Sequence, residues 1–92
     1  MIGSFRHRGL KRLYEDDDSR KPFAEHVNRI SLILAALDAA KTAQDLDMHT
    51  FHLHQLKGER KGMWAVTVRA NWRMIFRFEK GQALDIDLVD YH

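Results

Sequence analysis

Residues 63 to 89 alternate apolar and polar side chains over three successive stretches, and that pattern leaves room for little except an antiparallel meander. Residues 63–70 set Trp64, Val66 and Val68 against Thr67 and Arg69. Residues 72–79 place Trp72, Met74, Phe76 and Phe78 on one face and Arg73, Ile75 and Arg77 on the other. Residues 82–89 put Leu84, Ile86 and Leu88 on one face. A period of two is that of a strand with one buried face. Asn71 breaks the first two stretches, and Lys80-Gly81 makes a hairpin turn before the third. Residues 50–56 predict a further short strand, with Phe51 and Leu53 on one face and His52, His54 and Leu56 on the other. Between it and the meander, Lys57-Gly-Glu-Arg-Lys-Gly62 is a turn-rich loop.

Upstream the period becomes helical. Residues 7–15 space Leu10, Leu13 and Tyr14 for a short helix. Residues 16–21 are a polar break, in which Ser19 is a candidate N-cap and Pro22 suits a first helical turn. From residue 22 to 40, Phe23, Val27, Ile30, Leu34 and Leu37 form an apolar stripe widened by Ile33, and the alanines favour helix. Leu32 falls off that stripe. Residues 43–46 predict one helical turn within a connection, and Ile2 and Phe5 fit an edge strand. Helices followed by strands predict an α+β fold, with two N-terminal helices packed on a small, mainly antiparallel sheet. The 92 residues suffice for one domain, residues 1–92.

Without cysteine the chain has no disulfide framework and no thiolate chemistry. It has no apolar run of signal-peptide or membrane-span length, so a cytoplasmic protein with no membrane association is expected. The net charge of +2 is unevenly placed. Arg6, Arg8, Lys11 and Arg12 precede any acid, four acids follow from Glu15, and residues 57–77 carry Lys57, Arg60, Lys61, Arg69, Arg73 and Arg77 against Glu59 alone. Such clusters bind polyanions or simply face solvent. A strand running to residue 89 would hold Asp90, Tyr91 and His92 in place, and a held imidazole suits acid–base work near neutral pH. His52 and His54 have zinc-ligand spacing on a strand, but no third ligand accompanies them, so neither metal nor cofactor is expected. Each candidate has an ordinary alternative: His54 as a surface strand histidine, Lys57 as a solvated side chain, Arg73 paired with Asp85 or Asp87 across the last hairpin. Trp64 and Trp72 read as packing aromatics.

Leu53-His-Gln-Leu-Lys-Gly58, Trp64-Ala-Val-Thr-Val-Arg-Ala-Asn-Trp-Arg73 and Val89-Asp-Tyr-His92 together resemble the HigB branch of the RelE/ParE toxin superfamily, as do Met1-Ile-Gly-Ser-Phe5 and Gly9-Leu-Lys11. The resemblance runs over essentially the whole chain. It implies a ribosome-dependent endoribonuclease toxin of a type II toxin–antitoxin system that cuts mRNA in the ribosomal A site. A HigA-type helix-turn-helix antitoxin would neutralise it, and operator DNA would be contacted only through that antitoxin. Metal-free cleavage uses the 2′-hydroxyl against the adjacent phosphate and needs a base, an acid and cations for the phosphorane. By resemblance, His54 and His92 supply acid and base, with Asp90 and Tyr91 beside them, while Lys57 and Arg73 hold the phosphate. Which histidine is the base stays open. Asp90 is either the base or an orienting group, and Tyr91 either stacks on a base or donates a hydrogen bond. Arg6, Arg8, Lys11, Arg12, Arg60, Lys61 and Arg77 are candidates for docking onto rRNA. Two other classes remain: a ParE-like gyrase inhibitor, which has no use for paired imidazoles, and a non-enzymatic, partner-binding subunit of a toxin–antitoxin repressor.

Overall fold

A computed structural model of the chain describes residues 1–16 and 26–90. The expected cap Ser19, the helix start at Pro22, the stripe residue Phe23, and Tyr91 and His92 lie outside them. Helices α1 (Arg8–Asp16) and α2 (Val27–Ala39) come first, then a 3-10 turn over Ala43–Leu46. Strand β1 (His54–Gln55) follows, then a 3-10 turn over Gly58–Arg60, then β2 (Trp64–Arg69), β3 (Trp72–Glu79) and β4 (Gln82–Asp90). The strands pair antiparallel in the order β1-β2-β3-β4, which is the expected α+β arrangement.

Helix α1 is opened by His7, whose Nδ1 accepts the Leu10 N–H at 3.2 Å. That satisfies one of the donors a helix start leaves open. Leu10 and Leu13 of α1 and Ile30, Ile33, Leu34 and Leu37 of α2 are buried. They meet Val66, Val68, Met74, Phe76, Ala83 and Ile86 from one face of the sheet. Each such large apolar side chain contributes about 1.5–3 kcal/mol by leaving water. Leu32, off the stripe, is exposed.

The N-terminal segment seals the outer edge of β4. Ile2 and Phe5 bridge in parallel to Ala83 and Ile86. Gly3 N–H donates to the Ala83 carbonyl and Arg6 N–H to the Ile86 carbonyl, both at 2.8 Å. Ala83 N–H returns a bond to the Met1 carbonyl. The approach is close: a Cβ on Gly3 would sit 2.6 Å from Leu84 Cδ2, so the end of the Leu84 side chain would have to move aside.

Three expectations are corrected. The strand over residues 50–56 shrinks to His54–Gln55. Phe51 closes a turn onto the Met48 carbonyl and His52 takes left-handed backbone, φ 50, so regular pairing cannot begin earlier. Leu84 does not share a face with Ile86 and Leu88. A register shift lies between Ile75 and Arg77, and Asp85 has φ 54. The extra residue turns Leu84 to the outer face opposite Arg77, while Ala83 and Ile86 enter the core. The first hairpin turns at Ala70 and Asn71, as expected of Asn71, with Ala70 in left-handed backbone, φ 50. Finally, Trp64 packs against the core but Trp72, at the strand end, is exposed. The second hairpin is as expected: Lys80 and Gly81 both have positive φ, the geometry that matches strand twist.

Candidate functional site

The helices cover one face of the sheet, and the other face carries the candidate chemistry. His54, Ala65, Ile75 and Asp87 form one row across the strands, and Thr67, Arg73 and Val89 form the next. Ala65 and Ile75 are buried in that face. Strand spacing places His54 and Arg73 about 10 Å apart across the sheet and about 7 Å along it. Lys57, three residues after His54, is exposed and extended immediately before the Gly58–Arg60 turn. Asp90 ends β4 opposite Trp72. By alternation it points to the helix side, with Leu88, so it does not share the face of His54 and Arg73. Tyr91 and His92 lie beyond the described residues.

His54 is exposed and its Nδ1 lies 2.9 Å from the His52 carbonyl oxygen. A carbonyl only accepts, so Nδ1 carries the proton. In the neutral ring, Nε2 then holds the free lone pair. The left-handed backbone of His52 presents that carbonyl. Arg73 folds back on the β2–β3 turn, Nη1 donating to the Ala70 carbonyl and, at 3.2 Å, to the Trp72 carbonyl. It is Arg77, not Arg73, that pairs with Asp85, at 2.7 Å, and also with Glu79. Those hydrogen bonds, to Asp85 first, hold the Arg77 guanidinium pKa above its ordinary value. Asp87 accepts the N–H of its neighbour Leu88 at 2.9 Å.

The remaining basic candidates fall in two places. Arg6, on the segment that pairs with the β4 edge, and Arg8, Lys11 and Arg12, on the α1 that follows it, are exposed. Arg60 and Lys61 are exposed on the loop between β1 and β2. Among the described residues, no group of three or more His, Asp or Glu side chains is placed to hold a metal ion. No helix among them is long and apolar enough to cross a membrane.

Arg29 is absent from the sequence-based candidates, yet it borders this site. Its Nη2 donates to the Thr50 carbonyl and, at 3.1 Å, to the Thr67 carbonyl. Its guanidinium lies 5.0 Å from the centre of the Phe51 ring. The signal was available: Arg29 lies one helical turn from Ile33 and two from Ala36, both facing the core. A basic residue on that line reaches polar partners past apolar neighbours.

Residues 3–92 match the family model of the RelE-like toxin of type II toxin-antitoxin system HigB. The chain is 45% identical over 92 residues to endoribonuclease HigB of Proteus vulgaris, covering all of both chains. It is 30% identical over 87 residues to toxin HigB-1 of Vibrio cholerae serotype O1 (strain ATCC 39315 / El Tor Inaba N16961), covering 92% of each. Its fold is similar to that of YafQ from E. coli strain BL21(DE3), with TM-score 0.67 at 12% identity over 98% of this chain and 93% of the other. A chain of the YoeB-YefM complex from Staphylococcus aureus gives TM-score 0.64 at 14% identity over 100% and 98%. With the helix-covered sheet and nearly the whole length matched, the chain belongs to the HigB-like family, the RelE-like toxins of type II toxin–antitoxin systems.

Proposed function

We propose that this chain, an endoribonuclease toxin of a type II toxin–antitoxin system, cuts mRNA in the ribosomal A site by metal-independent acid–base chemistry. The observation that carries the proposal is His54: its Nδ1 is committed to the His52 carbonyl, which leaves Nε2 with the free lone pair in the neutral ring of an exposed residue on the same sheet face as Arg73. One imidazole takes the proton of the 2′-hydroxyl as its oxygen bonds to phosphorus. A second gives a proton to the leaving 5′-oxygen as the P–O bond breaks. The products are a 2′,3′-cyclic phosphate and a 5′-hydroxyl. His54 serves one of these roles and His92 the other; Tyr91 assists, and Asp90, at the end of β4, acts from the sheet edge rather than from the face of His54. Lys57 and Arg73 bind the phosphate and offset the charge that builds on the phosphorane. To do so, Arg73 exchanges neutral carbonyl acceptors for phosphate oxygens, which form the stronger charge-assisted bonds.

The toxin acts in the cytoplasm and is neutralised by a HigA-type helix-turn-helix antitoxin, through which alone it meets operator DNA. Arg6, Arg8, Lys11, Arg12, Arg60, Lys61 and Arg77 contribute to docking on rRNA, which positions the protein without reading sequence. The test is cleavage of a defined mRNA by the purified chain, on programmed ribosomes and on naked RNA, with a variant lacking His92 alongside. Cuts are expected on ribosomes only, ending in cyclic phosphate and lost on truncation. Equal cutting of naked RNA would remove the ribosome from the scheme. A folded, inactive wild-type chain would sink the proposal outright.

A further inference from the structure

The chain that carries His54 is poorly tied to the sheet. β1 offers the pairs His54–Ala65 and Gln55–Trp64, followed by one bond from the Leu56 N–H to the Met63 carbonyl at 2.9 Å. Upstream, Phe51 O accepts the Thr67 N–H at 2.8 Å before the backbone turns over at His52. The His52 carbonyl, which fixes the His54 ring, therefore hangs between a two-residue strand and a turn. Arg29 crosses that gap from α2. One guanidinium nitrogen bonds the carbonyl of Thr50, in the turn, and the carbonyl of Thr67, in β2, so it holds the two chains at a set spacing. The guanidinium also lies against Phe51, which is fully packed in the core. A planar group that donates two bonds from one atom and stacks on a ring is a rigid clip.

We propose that Arg29 is a positioning residue for His54: by clipping Thr50 to Thr67 it places the His52 carbonyl, which selects the Nδ1–H tautomer and aims Nε2 at the RNA. This rests on the role given to His54 above. Arg29 itself touches no reacting atom. A purely structural role would lower stability alone, whereas this one changes the ring and the turnover of a folded chain.

The test compares the wild-type chain with Arg29→Met, Arg29→Lys and His54→Gln on programmed ribosomes, measuring kcat and KM. NMR of the ring nitrogens reads the His54 tautomer without turnover. The wild-type ring is expected as Nδ1–H. Arg29→Met, kept below its melting temperature, should shift the ring towards Nε2–H and lower kcat about tenfold, the scale of a small misplacement. Its KM should stay within about twofold, because ground-state binding is untouched. Arg29→Lys, a shorter donor, should fall between. A folded Arg29→Met chain with wild-type tautomer and kcat overturns the proposal, as does a changed tautomer with kcat kept. If Arg29→Met does not fold, Arg29→Lys decides on the same two readouts. Wild-type kcat in His54→Gln overturns the role of His54 and this proposal with it. The tautomer separates that failure from a failure of Arg29 to orient the ring.

Discussion

The two edges of the sheet are finished in different ways. At the β4 edge the first six residues pair through the backbone, with bonds in both directions between Met1–Arg6 and Ala83–Ile86. Ser4 adds its hydroxyl, which accepts the Asp85 N–H at 2.8 Å and so serves the bulge. At the β1 edge two residues pair, and the chain before them is held by one backbone bond, from the Thr67 N–H to the Phe51 carbonyl, and by the side chain of Arg29. Backbone pairing fixes an edge whatever the side chains are, but it points side chains alternately and leaves no choice of direction. A turn held by a side chain can aim a carbonyl, and through it an imidazole. The β4 edge is fixed by backbone pairing, while the β1 edge presents His54, the candidate side chain whose direction depends on the turn before it.

That contrast is sharpest in what each edge loses on substitution. His54→Gln should cost about a hundredfold or more in cleavage on programmed ribosomes, the usual worth of a general acid or base. Its melting curve should stay within about 0.5 kcal/mol of wild type, because the side chain is exposed. Ser4→Ala should do the reverse. Losing the bond to a half-buried N–H costs about 1 kcal/mol, with cleavage at permissive temperature kept. Chemical denaturation and kcat of both variants decide the matter. If Ser4→Ala damaged cleavage as much as His54→Gln, the edges would not be separable.

The same contrast explains what the sequence disclosed. Strands β2, β3 and β4 were legible because a two-residue period survives any register. The bulge at Asp85 was not, since one extra residue leaves the composition of β4 unchanged while moving Leu84 to the other face. At the site, His54, Lys57 and Arg73 could be named from the motifs they sit in. Which ring nitrogen of His54 is free depends on the left-handed backbone of His52, and nothing in the side chain of a histidine announces that. The place of Arg29 on the core-facing line of α2 was legible, but its partners were not, because they are backbone carbonyls 21 and 38 residues away and any residue type supplies a carbonyl.

The sealed edge has a second support that titrates. Asp38 of α2 accepts the Tyr14 hydroxyl at 2.9 Å and the Ile2 N–H at 3.4 Å, tying both α1 and the N-terminal segment to α2. The hydrogen bond to Asp38, first, and then burial and the nearby Asp38 and Glu15 charges raise the Tyr14 pKa above 10.0. A raised folded-state value means that the stabilisation is complete below the unfolded value. It fades as pH climbs through the folded one. The wild-type chain should therefore lose stability more steeply than Tyr14→Phe as pH rises above about 10, and the two should converge at the alkaline end. Tyr14→Phe keeps a ring for the 5.6 Å contact with Phe5, so the difference isolates the hydroxyl. The effect should be the smallest of the series, because Tyr14 and Asp38 are exposed and solvent screens their interaction. Urea midpoints across that range measure it, and parallel curves would mean that Asp38 holds the N-terminal segment without help from Tyr14.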